Sequence, residues 1–87
     1  MNFEDTFFYS KNRFSIGIEK ESGKYYLSIP VSNGIVDYEE YYEISEDEFK
    51  SFKNDPTSAE YFVDRCRNRQ QDNLLILAPG ANRGIPS

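Results

Sequence analysis

Tyr38-Glu39-Glu40-Tyr41-Tyr42-Glu43-Ile44-Ser45-Glu46-Asp47-Glu48-Phe49-Lys50-Ser51-Phe52 contains a change of period. Before Ser45 the side chains alternate. Val36, Tyr38, Tyr42 and Ile44 fall on one parity, with Glu40 among them, and Asp37, Glu39, Tyr41 and Glu43 fall on the other. A period of two is that of a strand with one buried face. From Ser45 the signal is helical. Ser45-Glu46-Asp47-Glu48 is a capping box, three acids sit in the first turn, and Phe49 and Phe52 are spaced for one buried stripe. A strand at 35–44 is therefore expected to pass directly into a short helix that Asp55-Pro56 ends.

Upstream, Phe14-Ser15-Ile16-Gly17-Ile18-Glu19-Lys20 and Tyr25-Tyr26-Leu27-Ser28-Ile29-Pro30-Val31 alternate in the same way. Phe14, Ile16 and Ile18 form one inner set, and Tyr25, Leu27, Ile29 and Val31 form the next. Gly23 in the intervening turn suits positive φ, and Asn33-Gly34 is a hairpin signal. Pro30 cannot donate to a ladder, so this end of the strand is expected to be unpaired on one side. An earlier strand at 6–9, turning at 10–13, would extend the meander. A bulge near Glu39-Glu40 would take the anomalous Glu40 off the inner parity.

Downstream, Thr57-Ser58-Ala59-Glu60 reads as a second capping box. Ala59, Phe62, Val63 and Cys66 follow at i, i+3, i+4 and i+7, which predicts an amphipathic helix fading near Arg69. Leu74-Leu75-Ile76-Leu77 reads as a final strand or a self-associating edge. Residues 79–87 lack periodicity and read as a flexible tail. The fold class expected is α+β: an antiparallel β-meander with two short helices packed on one face and a C-terminal strand, in a single domain spanning 1–87.

The 87 residues include seven Tyr, seven Phe, no Trp and no His. That aromatic content marks a chain that folds. Without His, the commonest general base and metal ligand are missing, so Ser-His-Asp and Cys-His catalysis are excluded. A single cysteine, Cys66, excludes an internal disulfide and any zinc spacing. It lies on the helix stripe and reads as a core thiol. Carboxylate pairs such as Glu40 with Glu43 or Asp37 with Glu39 could serve a hydrolase only if one acid were desolvated in a pocket. The chain is therefore expected to be no enzyme, with no cofactor and no metal. Neither a signal peptide nor an apolar run long enough for a bilayer is visible, so a cytoplasmic setting is expected.

Charge placement carries the functional signal. Asp and Glu number 15 against 10 Lys and Arg, a net charge of −5. Seven of those acids, Asp37, Glu39, Glu40, Glu43, Glu46, Asp47 and Glu48, lie within residues 37–48 with no cation between them. Asp37, Glu39, Tyr41 and Glu43 would form an outward row that Glu46 and Asp47 continue around the helix start. Acids beside Tyr38, Tyr41 and Tyr42 suit a surface that meets Lys and Arg by ion pairing and cation–π contact. The equally weighted alternative is a solvated sheet face with ordinary capping acids. Arg65, Arg67, Arg69 and Arg83 could bind an anion, but alternate helix positions diverge by about 200° and read better as a solvated helix end.

In size, acidity and lack of catalytic groups, the chain resembles small bacterial immunity proteins. The same character fits phage-encoded inhibitors that imitate nucleic acid. The resemblance implies a non-catalytic inhibitor of a basic protein such as a toxin nuclease, with Asp37, Glu39, Tyr41 and Glu43 as contacts and no direct binding of nucleic acid or membrane. The alternative is a self-associating accessory domain, for instance a homodimer formed through residues 74–77.

Overall fold

The computed structural model describes residues 1–87. Strands β1 (Phe3–Tyr9), β2 (Phe14–Glu19), β3 (Tyr25–Ser32) and β4 (Asp37–Ile44) form an antiparallel meander in that order. Helices α1 (Glu46–Asn54) and α2 (Glu60–Arg67) follow, with a 3-10 turn at Pro56–Ala59 between them. A two-residue strand β5 (Ile85–Pro86) pairs with the end of β3. The α+β class read from the sequence is the one observed.

Alternation sorts the four long strands into two faces. Phe14 and Ile16 of β2, Leu27, Ile29 and Val31 of β3, and Tyr42 and Ile44 of β4 are buried against the helices. There they meet Phe49 and Phe52 of α1 and Val63 and Cys66 of α2. α1 starts as its sequence dictates. The Ser45 Oγ accepts from the Glu48 amide at 3.0 Å, and a Glu48 carboxylate oxygen accepts from the Ser45 amide at 2.9 Å. Removing such a cap typically costs about 1 kcal/mol.

Several local expectations are corrected. The second capping box does not form. Asp55, freed by the end of α1, accepts from the Thr57 amide and hydroxyl, and the first turn after Pro56 is 3-10. The Asn33-Gly34 turn is a four-residue loop, because Asn33 Oδ1 accepts from the amides of both Ile35 and Val36. β4 therefore begins at Asp37, and Val36 lies outside the strand. Residues 74–77 form no strand. A 3-10 turn at Asp72–Leu74 leaves one bridge, Leu75 to Tyr42, and the Ile76 amide donates to the Tyr41 carbonyl at 2.9 Å. The C-terminal strand comes instead from the aperiodic tail.

Pro30 explains where that tail goes. β2 stops pairing with β3 at Ser28, so the next stretch of β3 is open on that side. The Pro30 carbonyl points to the open side, where it accepts from the Ser87 amide at 3.1 Å. In a strand the N–H and C=O of one residue face the same edge, so the proline places its missing donor where β2 has ended. The tail needs only two residues of ladder to fill the remaining gap.

The face away from the helices has its own small aromatic cluster. Tyr26 is fully buried there, beneath Phe3 of β1 and Tyr41 of β4. Gly17 makes this cluster possible. A Cβ at that position would lie 2.5 Å from the Tyr26 hydroxyl and 2.1 Å from the Glu4 carbonyl. The glycine lets the ring lie flat across β2, with β1 close alongside.

Candidate interaction surface

The outer face of the sheet carries Phe3, Asp5 and Phe8 from β1, Gly17 and Glu19 from β2, Tyr26 and Ser28 from β3, and Asp37, Glu39, Tyr41 and Glu43 from β4, as the register aligns them. The sequence expectation of an outward row at Asp37, Glu39, Tyr41 and Glu43 thus matches the geometry. The row is extended by residues that strand parity in β4 could not indicate. Phe3 stacks on Tyr41, with ring centroids 3.7 Å apart and planes inclined by 15°. The Tyr26 hydroxyl donates to Asp5, and Ser28 Oγ donates to Glu39 at 3.0 Å.

Asp5 and Glu39 make this face electrostatically unsettled. Neither carboxylate has a cationic partner within the molecule. Partial burial pushes the Glu39 carboxyl above its usual range. The Ser28 hydrogen bond opposes that shift, and the negative charge of Asp5 adds to it. The Tyr41 phenol is also raised, first by burial and then by Glu39 and Asp5. Tyr26 moves upward for the same reason, through burial and its bond to Asp5. In all three groups burial is the first cause, and neighbouring negative charge adds to it.

The remaining proposed contacts separate. Glu43 lies 3.7 Å from Lys24, and Glu46 is 3.0 Å from Lys50, one helical turn on. Both pairs are exposed and weak. Asp47 is exposed in the first turn of α1 and beyond the end of the row. Tyr42 is corrected outright. It is fully buried on the helix face, its hydroxyl donating to Glu40, and cannot touch a partner. Tyr38 is also inward, packed against the core, with its phenolic oxygen accepting from the Gly84 amide at 2.6 Å.

Glu40 needs no bulge. The β3–β4 register runs unbroken past it, and the side chain points inward as parity requires. It is satisfied there by Arg69, which the sequence placed on a solvated helix end, and by Arg83 of the tail. Arg69 pairs with Oε1, and Arg83 Nε donates to Oε2 at 2.7 Å. Arg83 also grips Asp72 with two hydrogen bonds, at 2.7 and 2.9 Å. Burial alone would raise the Glu40 carboxyl. The Arg83 and Tyr42 hydrogen bonds and both guanidinium charges outweigh it and hold the carboxyl below its usual range. Arg67 donates to the carbonyls of Asn12 and Arg13, and Arg65 lies over the Tyr61 ring. These arginines are internal ties, and no anion site is formed among them.

Cys66 is fully buried, and burial pushes its thiol up to about 12. The largest groove, about 620 Å³, lies between loop 33–36 and the tail. Its one charged side chain is Arg83, already engaged by Glu40 and Asp72. No helix is long and apolar enough to cross a membrane. No protein-family model matches the chain, and comparison with curated proteins and with solved structures yields no significant match.

Proposed function

We propose that this chain is a non-catalytic binding protein of the immunity or inhibitor kind, which neutralises a basic protein, such as a toxin nuclease, in the cytoplasm. The observation that carries the reading is the pair Asp5 and Glu39. Both are unmatched by any cation of the molecule and lie beside Tyr41 and Phe3 on the outer face of the sheet. An arriving lysine or arginine restores the missing counter-charge and finds aromatic rings beside it. Asp37, Glu43, Glu46 and Asp47 surround this centre and attract the same partner over a longer range.

The residues that point elsewhere support the same reading. Glu40, the acid with the greatest burial on β4, is neutralised twice within the fold. Glu40 on the inner face of β4 is given two arginines. Asp5 and Glu39 receive none.

Affinity capture from the protein's own cell, washed at low and then high salt, tests the proposal. We expect a basic protein to be held by the natural chain and released by salt. It should be lost when Asp37, Glu39 and Glu43 are all changed to Lys. Retention of the same protein by the triple variant, or recovery of nothing but the chain itself, would overturn the reading.

A further inference from the structure

The chain covers two of the sheet edges it creates. The outer edge of β4 is met by residues 75–76, through the Leu75 bridge and the Ile76 amide. The half of β3 that β2 leaves open is met by β5. β1 has no such cover. It pairs only with β2, and its five central residues, Glu4 to Phe8, are exposed. Backbone groups along a strand project alternately to its two edges, so those on the outer side of β1 face water.

Natural edges are guarded by lysine, proline or bulges. β1 contains neither a lysine nor a proline, although it does have a bulge between Asp5 and Phe7. Its charges, Glu4 and Asp5, are both acidic, and Phe8 is 63% exposed on the outer face. The bulge interrupts this edge only locally, Lys20 lies 3.9 Å from Glu4 and Lys53 lies over the Phe7 ring, so the uncompensated charge on β1 is that of Asp5 on the outer face.

We propose that an extended basic segment of the partner adds to β1 in antiparallel pairing as a further strand of the sheet. Directly opposed residues in such a pair have Cβ atoms about 4.5–5.5 Å apart. A lysine or arginine facing Asp5 then lies between the rings of Phe3 and Phe8. The next residue of the segment opposes Glu4 on the helix side, where Lys20 already lies 3.9 Å from that carboxylate. Main-chain hydrogen bonds supply the hold and the acids supply the selectivity. This inference rests on the reading of a cationic partner given above. A second copy of the chain suits the edge badly, because it would bring two acidic pairs into one ladder and join two molecules of net charge −5.

The test uses the full chain and a synthetic decapeptide alternating lysine and valine, titrated calorimetrically to millimolar concentration. Two further peptides carry N-methyl groups on one or the other alternate set of amides. We expect the parent peptide to bind, and one methylated peptide to bind at least tenfold more weakly while the other retains affinity. The double variant Asp5→Asn, Glu39→Gln should bind the parent at least fivefold more weakly, and a glutamate–valine peptide should not bind. Exchange of the β1 amides should slow in the complex. Equal binding by both methylated peptides would overturn the edge inference while leaving the charge-based reading in place. Binding unaffected by the Asp5 and Glu39 changes would overturn both. Failure of the parent peptide to bind, or β1 protection that instead tracks protein concentration, would remove the edge as the partner's site.

Discussion

Glu39 and Glu40 are neighbours in sequence with opposite electrostatic settings, and the contrast makes each testable. Glu39 has its carboxyl raised by burial, so at neutral pH its charge is less comfortable folded than unfolded. A raised carboxylate favours folding as pH falls through its folded value. Glu39→Gln keeps an oxygen to accept from Ser28 and removes the charge. It should raise Tm by a few degrees at pH 7, with the gain shrinking toward pH 4 when followed by thermal melts. An unchanged or lower Tm at pH 7 would mean that the charge is not destabilising. Glu40 is the reverse case. Its side chain is 5% exposed between Arg69 and Arg83, whose side chains keep 27% and 20% exposure. Removing one member of a buried pair costs roughly 3–5 kcal/mol, and the partial hydration of both arginines places Glu40→Ala near about 3 kcal/mol. Denaturant unfolding measures it, and a loss below about 1 kcal/mol would show that water readily replaces the carboxylate. Arg69 pays a visible conformational cost for its part. It sits at φ 62, at the left-handed position that closes α2, where glycine is the usual choice. Only the clamp on Glu40 and the bond to the Gly84 carbonyl explain an arginine there.

At the scale of elements, the β2–β3 hairpin is held by the fully buried Glu19. Its carboxylate accepts from the amides of Asn2, Glu21 and Ser22 at 2.7, 3.0 and 2.8 Å, tying the start of β1 and the turn together. Hydrogen bonds from Ser22 first, and then from Asn2, lower the carboxyl to about 2. The stability it contributes is complete above the ordinary value of 4.5 and is lost as pH falls toward 2. We therefore expect the Tm difference between the natural chain and Glu19→Gln to be constant from pH 7 to 5 and to narrow between 4.5 and 2. A difference that stays constant down to pH 2 would show that shape alone accounts for it. The sequence marked this turn through Gly23, which has φ 74, but gave no sign of the carboxylate beneath it. Glu19 reads as an outward polar residue in an alternating strand, and its partners are a turn and a strand start that only come together in space.

The whole molecule is closed by its last residues. Arg83 joins β4 through Glu40 to the turn at Asp72, and β5 fills the gap beside β3. Removing residues 79–87 should therefore cost about 2 kcal/mol or more, from the loss of one arm of the buried clamp. In a domain of this size that is a fall in Tm of roughly 10 °C, with faster exchange at the Ser32 amide. A truncated chain that melts with the natural one would show the tail to be an ornament of the sheet. The sequence by itself determined the meander, the helix starting at Ser45, the inner row from Phe14 to Ile44 and the outward row of β4. Each of these follows from a local period or cap, and nearby residues are enough to specify it. Only the tertiary structure decided that the apolar run at 74–77 would lie along an edge while an aperiodic tail supplied the strand. It also decided that Glu40 would be answered by Arg69 and Arg83 while Asp5 and Glu39 would not. Strand pairing and charge compensation join residues tens of positions apart, and no local pattern records which distant group will arrive.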